Sequence, residues 1–519
     1  MAEEIQHKEP EQLETRSSAN KRLAKNTIAL YIRMAFAMLV TLYTSRVVLQ
    51  TLGVEDFGTY GVVGSIVVLF AFVNNTLVGS IQRFLNFELG LKNSDGVTKV
   101  FSNAFHVQVI FASIIILLGE TIGLYYLNHY IKVPEGRMYA ANWVYQFAIY
   151  TTVLRIIRTP FNASMIAYER MTVFAIIGIV NVCLKLLIVY MLLISPFDRL
   201  ISYSALGASV STGMTLFYIY YNNTNFKDCH IQRKIEKPLL KQMLSFSGWN
   251  LLGSIAVLAT FQGVNLILNY FYGVVVNAAL SIANQVYAAT TSFTGSFQTA
   301  FRPQITKNYA KKDFEYFFDL VFRTTRYSFF LVIICAIPLY FQCNGLLALW
   351  LGIVPKYATE FCQYLIMVCV VDAIAAPLAM SVNATGNIKK YQLIISSILV
   401  LNFPITIFLM NLGLSPTWAL ITRFLVCCLA YVYRIIYMVK VLNMNIHHYF
   451  KKIVIPCIYV FVPTIIVALL INSFCHTHTI ILAATYFLIT VCFILLLGLN
   501  RYERRQIKKV VTTKLKLRL

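Results

Sequence analysis

Charged side chains are scarce in this chain of 519 residues: Asp, Glu, Lys and Arg together make up 13% of it, whereas hydrophobic residues make up 58%. Soluble domains carry about twice that share of charge, so the composition excludes an ordinary soluble protein. Acidic residues are scarcest, 21 against 44 lysines and arginines, which gives a formal net charge of +23. Because the basic residues stand in short clusters between apolar runs, and not on one folded polar face, we expect no nucleic-acid partner.

Sequence signals of catalysis are also missing. The chain contains no Gly-Lys pair, which excludes a phosphate-binding P-loop, and no Asp-x-Asp element typical of metal-dependent glycosyltransferases. Its 11 cysteines form no CxxC pair and mostly lie inside apolar runs, where cysteine packs as a small apolar residue. Two pairs of histidines near helix ends are too few for a metal centre. We therefore expect no enzyme, no cofactor and no metal site.

Long apolar runs are abundant. A helix of about 20 apolar residues crosses the hydrocarbon layer of a bilayer, so the runs predict an all-α integral membrane protein with about fourteen transmembrane helices. The predicted spans are 26–50, 59–84, 101–127, 139–160, 171–194, 200–221, 243–270, 277–302, 321–343, 358–383, 390–411, 415–438, 453–472 and 477–499.

The basic residues sort to one side of the membrane when the chain is threaded through these spans. Only Lys132, Arg137, Arg199 and Lys356 fall in the connections of the opposite side. Lysine and arginine accumulate in cytoplasmic connections. We therefore expect both termini in the cytoplasm, a first span that is retained because no cleavable signal peptide precedes it, and a basic tail held against anionic lipid headgroups.

Landmarks recur about 217 to 220 residues apart, for example Gly53 with Gly273 and Pro160 with Pro377. The recurrence predicts two six-helix repeats of the same orientation, an arrangement suited to two lobes that rock about a central cavity, followed by two extra helices. The predicted segments are a cytoplasmic tail (1–25), an N-lobe (26–221), a cytoplasmic linker (222–242), a C-lobe (243–440), the last two helices (441–500) and a basic cytoplasmic tail (501–519).

Ionisable residues inside the spans point to function, because a charge in lipid is unfavourable unless it faces protein or water. The cations predicted to bind an anionic cargo are Arg33, Arg46, Arg83, Lys185, Arg302 and Arg423. A guanidinium group matches phosphate oxygens in particular. The alternative for Arg46, Arg83 and Arg302 is that they extend to the lipid headgroups. Asp372 is interpreted either as a coupling-ion site or as the counter-ion of one arginine.

Amide side chains accompany these charges in the second, seventh and eighth predicted helices. Two interpretations remain open: the amides line a passage for sugar hydroxyls, or they form hydrogen bonds between helices. The residues are Asn74, Asn75, Gln262, Asn265, Asn284 and Gln285.

Three segments carry a resemblance to a known family. They are LGVEDFGTYG at 52–61, RTPFNASMIAYERM at 158–171 and NATGNIKKYQ at 383–392. With the hydropathy pattern over about 20–500, the chain resembles the polysaccharide-transport branch of the multidrug, oligosaccharidyl-lipid and polysaccharide exporter superfamily.

The resemblance implies a bacterial inner-membrane flippase. Such proteins move undecaprenyl-pyrophosphate-linked oligosaccharide repeat units across the plasma membrane for O-antigen, capsule or exopolysaccharide assembly, beside a glycan polymerase and a chain-length regulator. Related lipid II flippases hold the pyrophosphate with arginines of helices 1, 2 and 8, and place the lipid tail along helices 13 and 14. Arg33 or Arg46, Arg83 and Arg302 lie in comparable helices here.

Three alternatives remain. A multidrug exporter of the same superfamily is expected to need acidic residues for cationic drugs. A membrane-embedded glycan polymerase or ligase would need a sizeable outer loop, and the predicted outer connections are short. A scaffolding role in a glycan-assembly complex would require none of the buried cations.

Overall fold

The structure is a computed structural model. It describes residues 26–500 and 503–504 with the exception of 42, 45–46, 49–50, 53–55, 57–58, 61–62, 64–77, 131–135, 195, 273, 352–353 and 475–477. Within this part of the chain all regular secondary structure is helical, so the prediction of an all-α membrane protein is confirmed. Nine of the described helices are long and apolar enough to cross a membrane.

The helices of the first half begin with α1 and end with α8. Their bounds are α1 Asn26–Thr41, α2 78–90, α3 Ser94–Leu118, α4 Leu124–Tyr130, α5 Met138–Ile157, α6 Thr159–Ala167, α7 Met171–Leu193 and α8 Arg199–Asn225. A π-helical turn, Gly119–Gly123, joins α3 to α4.

The second half contains the two longest helices of the described chain. Its bounds are α9 Lys237–Tyr272, α10 Val274–Ala310, α11 Phe314–Phe341, α12 Cys343–Leu351, α13 Ala358–Thr385, α14 Lys389–Val400, α15 Asn402–Asn411, α16 Trp418–Leu442, α17 Ile446–Tyr449, α18 Ile455–Phe474 and α19 Thr479–Phe493. Each predicted span from residue 101 onward coincides with one of the described helices or with two consecutive ones. The total of about fourteen spans stays a prediction, because the spans 26–50 and 59–84 lie partly outside the described residues.

The chain divides into two compact units. Unit 1 comprises residues 1–251 and 300–312, and unit 2 comprises residues 252–299 and 313–519. Unit 2 has its main apolar core around Leu268, Phe361 and Leu420, which are almost completely buried. In unit 1 a corresponding core surrounds Val144 and Tyr145. The predicted boundaries of the two lobes stay predictions.

Helix starts repeat along the chain with the offset that the sequence landmarks have. The pairs Ser94 with Phe314, Met138 with Ala358, Met171 with Lys389 and Arg199 with Trp418 lie 218 to 220 residues apart.

The turns repeat as well. Lys92 and Lys312, 220 residues apart, both have positive φ at a helix end, where a left-handed residue closes the last turn. Asn93 and Asp313 follow them and cap the next helix with their side chains. This is independent support for the internal duplication.

One ion cluster of unit 1 joins Asp56 to the starts of two helices at the side predicted to be extracytoplasmic. The Arg137 guanidinium donates a bidentate pair of hydrogen bonds to Asp56, with Nε–Oδ1 at 2.7 Å, and a further one to Asp198 at 2.6 Å. Asp56 belongs to the LGVEDFGTYG segment, and Asp198 caps α8 through the backbone of Leu200 and Ile201. The cluster therefore ties that segment to the starts of α5 and α8.

Partial burial alone would raise the pKa of the Asp198 carboxyl. The backbone hydrogen bond from Ile201 and the Arg137 guanidinium outweigh this effect and hold that pKa below its usual range.

We expect Asp198→Asn to lower the free energy of unfolding by about 0.5–1 kcal/mol at neutral pH, because asparagine keeps the helix cap but loses the charge attraction. A carboxyl whose pKa is lower in the folded protein stabilises the fold at pH values above its pKa in the unfolded chain. This contribution is lost as the pH falls through its pKa in the folded protein. The difference between wild type and variant should therefore hold at about pH 7 to 5 and shrink progressively as the pH falls below about 4. Thermal unfolding in detergent checks this, and an unchanged difference at acid pH would contradict it.

Candidate functional site

Four cations of unit 1 lie near one another, and two of them, Arg33 and Arg158, also act on Tyr218. Arg33 comes from α1, Arg155 from the end of α5, Arg158 from the residue that separates α5 from α6, and Lys185 from the middle of α7. The Arg158 guanidinium lies over the Tyr218 ring of α8, 5.1 Å from its centroid. We call Arg33, Arg155, Arg158 and Lys185 the cationic cluster.

Three members of the cluster, Arg155, Arg158 and Lys185, repel one another. Arg155 and Arg158 both act electrostatically on Lys185, and Arg155 acts on Arg158. Arg33 and Arg158 share the Tyr218 hydroxyl as an electrostatic neighbour. Among the described residues no ion pair joins a carboxylate to any of the four. Within the described part of the chain, the positive charge of the cluster is therefore not compensated by a carboxylate.

Packing against α7 positions one member of the cluster, and two others are exposed. The aliphatic part of Arg33 crosses α7 at Gly178, where an added Cβ would lie 2.7 Å from the Arg33 Cδ. The Arg33 guanidinium then lies over Phe174, 4.5 Å from the ring centroid. The face of the aromatic ring attracts the positive charge electrostatically. Arg155 and Lys185 are exposed at the protein surface although both belong to helices of a membrane protein. Exposed charges at such positions need water or an anion.

Arg83 and Arg302 form a second pair of cations in unit 1. Arg83 is 8% exposed and contacts three aromatic rings, those of Phe84, Phe87 and Phe246. The Arg302 Nη1 lies 3.8 Å from the position that a Cβ on Gly79 would take, so both guanidinium groups border the same stretch of α2. Their predicted role in cargo binding stays a prediction.

Unit 2 holds the remaining predicted charges. The Tyr287 hydroxyl donates to Asp372 Oδ2 at 2.6 Å, and the Arg423 guanidinium lies 5.1 Å from the centroid of the Tyr287 ring. Arg434 is a further electrostatic neighbour of Asp372 and donates to the Tyr391 hydroxyl at 3.1 Å. Asp372 thus lies among cations, an environment suited to a counter-ion, and its predicted role in ion coupling remains a prediction.

The predicted amides are only partly placed. Asn265 and Asn284 are half-buried, and each has a buried Oδ1 that accepts no hydrogen bond from the described residues, whereas Gln285 is exposed. Arg46, Asn74, Asn75 and the side chain of Gln262 lie outside the described residues.

Sequence reasoning missed two cations and one acid. The sequence assigned no functional role to Arg155 and Arg158, although their spacing of three residues places them near one face of a helix. Glu169 was not considered as a functional residue. It lies in the turn between α6 and α7 with φ of 60°, and its side chain is almost fully buried.

Glu169 anchors the end of α10. Its carboxylate accepts hydrogen bonds from Gln304 Nε2 at 2.8 Å and pairs with Lys307 Nζ at 2.8 Å. The same turns of α10 pack tightly on α2, because an added Cβ on Gly90 would lie 2.7 Å from the Lys307 carbonyl oxygen. All these residues belong to unit 1.

Glu169→Gln should lower the free energy of unfolding by about 1–3 kcal/mol, since it leaves the Lys307 ammonium without the buried carboxylate. The matched control is Glu315→Gln, which changes an exposed glutamate at the start of α11 and should shift stability by less than about 0.5 kcal/mol. Thermal unfolding of the purified protein distinguishes the two variants. Equal stability of both variants would contradict the role assigned to Glu169.

Known proteins resemble the chain weakly in sequence and closely in fold. No family model matches. The chain is 21% identical over 330 residues to the uncharacterized membrane protein EpsK of Bacillus subtilis (strain 168), a match that covers 62% of this chain and 64% of EpsK. The match therefore spans a little under two thirds of the length of that relative.

Solved structures of transporters share the fold. A point mutant of a MATE protein superposes with a TM-score of 0.71 at 12% identity, covering 82% of this chain and 97% of that one. An outward-facing multidrug resistance MATE family transporter of the MOP superfamily gives 0.70 at 13%, with the same coverage. A MOP superfamily transporter of Pyrococcus furiosus, described as having a binding pocket of reverse polarity, gives 0.69 at 13%, again with 82% and 97% covered. The chain has the fold of these proteins.

Proposed function

We propose that the protein is a membrane transporter of this superfamily that flips polyprenyl-pyrophosphate-linked oligosaccharides across the bacterial plasma membrane by alternating access. The observation that carries the proposal is the cationic cluster, whose four positive charges have no carboxylate partner among the described residues. A diphosphate supplies the missing negative charge, and guanidinium groups bind its oxygens in bidentate fashion.

The transporter fold and the likeness to EpsK support the same proposal. A transporter that closes alternately towards each side must neutralise an anionic cargo inside the membrane, and fixed cations do so. The polyprenyl chain of the cargo stays in the lipid. The proposal places both termini in the cytoplasm, as the distribution of basic residues predicts. A glycan polymerase and a chain-length regulator are the partners expected for such a cargo.

A multidrug exporter is the second candidate, because a solved structure with this fold is a multidrug resistance transporter. Cationic drugs need an acidic binding site, whereas the cationic cluster repels them. A resistance panel on an overexpressing strain separates the two candidates: broad resistance to cationic drugs favours the exporter, and unchanged resistance favours the flippase.

The test of the flippase is a deletion strain complemented with variants. Deletion should remove the surface glycan and leave its lipid-linked repeat units in the inner leaflet. The double variant Arg158→Gln with Lys185→Gln should restore about tenfold less glycan or lower still, because each lost charge-assisted hydrogen bond weakens anion binding by about tenfold.

The matched control removes two exposed cations elsewhere in unit 1, Lys311→Gln with Lys312→Gln, and should complement fully at equal membrane abundance. Unchanged surface glycan in the deletion strain would refute the proposed cargo.

A further inference from the structure

We infer that one exposed face of α5 is a binding track for the saccharide part of the cargo. The inference rests on the proposed function and names the place where the sugars lie. The face consists of Tyr139, Trp143, Gln146, Phe147 and Tyr150, which recur every three or four residues and therefore lie on one side of the helix. We call these five residues the α5 stripe.

Polar groups show that the stripe faces water and not lipid. Gln146 Nε2 donates to the carboxylate of Glu120 at 2.9 Å, and the Glu120 side chain is exposed within a helix long and apolar enough to span the membrane. Next to them, Asn128 and Asn142 exchange two amide hydrogen bonds of 3.2 and 3.0 Å. A carboxylate exposed to hydrocarbon would be strongly unfavourable, so this face borders a hydrated passage.

The position of Glu120 is built into the fold. Tyr145 donates from its hydroxyl to the carbonyl oxygen of Gly119 at 2.8 Å, and an added Cβ on Gly123 would lie 2.0 Å from that hydroxyl. The tyrosine thus occupies the space of the missing side chain at the π-helical turn between α3 and α4. Such turns re-aim single side chains and recur at functional sites. Here the turn places Glu120 beside Gln146.

The aromatic members suit sugar rings. Tyr139, Trp143 and Tyr150 are 71%, 43% and 45% exposed, and Trp143 stacks on Phe147 with ring centroids 5.8 Å apart. Aromatic faces bind the apolar C–H faces of pyranoses, while carboxylate and amide groups accept and donate hydrogen bonds to the hydroxyls. The stripe offers both kinds of group side by side.

An interfacial belt of aromatic residues does not explain the inner end of the stripe. Trp and Tyr gather at the headgroup level, within the first turns of a spanning helix. Tyr150 follows the Arg137 ion cluster by thirteen residues, about 20 Å along the helix axis. At that depth Tyr150 still bonds to the hydroxyl of Thr212 on α8 at 3.0 Å. Helix α5 then continues to Arg155, and Arg158 of the cationic cluster follows directly after its end.

The internal duplication provides a comparison within the same chain. Helix α13 begins 220 residues after α5, and the positions equivalent to Trp143, Gln146 and Tyr150 are Gln363, Ile366 and Val370. Most of the apolar window of α13 is buried inside the protein. The helical scaffold therefore does not require aromatic side chains at these positions, and the stripe is a specific feature of α5.

The test measures binding of two short-chain probes, farnesyl diphosphate and farnesyl-diphospho-N-acetylglucosamine, to the full-length protein in lipid nanodiscs. Wild type should bind the glycosylated probe about fivefold more tightly than the bare diphosphate. Tyr139→Ala with Trp143→Ala, and separately Glu120→Gln, should abolish this preference and leave the affinity for farnesyl diphosphate unchanged. Because the altered side chains are exposed, the variants should unfold at the wild-type temperature.

The matched control is Trp418→Ala, which removes a tryptophan of similar exposure, 40%, from unit 2. It should keep the preference for the sugar. If the stripe variants still prefer the glycosylated probe, or if wild type binds both probes equally, the saccharide track is overturned and the proposed function is not affected. A wild-type protein that binds neither probe would contradict the proposed function itself.

Discussion

Repulsion between like charges dominates the first half of this helical bundle. Arg155, Arg158 and Lys185 act electrostatically on one another, and Arg33 shares Tyr218 with Arg158. Among the described residues no ion pair joins them to a carboxylate, although a medium of low dielectric strengthens repulsion between like charges. Such a cluster is stable only where water or a bound anion screens it. Helix α5, whose Gln146 side chain bonds to Glu120, carries Arg155 in its last turn and is followed directly by Arg158.

Properties that depend on local sequence could be predicted. Apolar runs of bilayer length determine where helices form, so the predicted spans from residue 101 onward agree with the structure. The duplication was visible because turn chemistry is local: Lys92 with Asn93 and Lys312 with Asp313 build the same left-handed helix end followed by a side-chain cap. Ion pairs between distant segments, such as Arg137 with Asp56, could not be read from such patterns.

The grouping of the charges could not be predicted, because it depends on helix rotation and packing. Arg33 and Lys185 were singled out as buried cations, but their association with Arg155 and Arg158 requires Gly178 to admit the Arg33 side chain. Glu120 escaped attention because its exposure depends on a π-helical turn set by Tyr145. Arg423 belongs to unit 2, where its guanidinium lies over the ring of Tyr287, and its predicted role in cargo binding stays a prediction.

The most direct measurement asks whether the cluster is hydrated and attracts anions in a native membrane. In a cysteine-free background, Lys185→Cys is treated with methanethiosulfonate reagents of opposite charge. If the remaining cations border water, the anionic sulfonatoethyl reagent should react at least about tenfold faster than the cationic trimethylammonium reagent, and inorganic pyrophosphate should slow it. No reaction with either reagent, or a faster reaction with the cationic one, would contradict an anion-binding cluster.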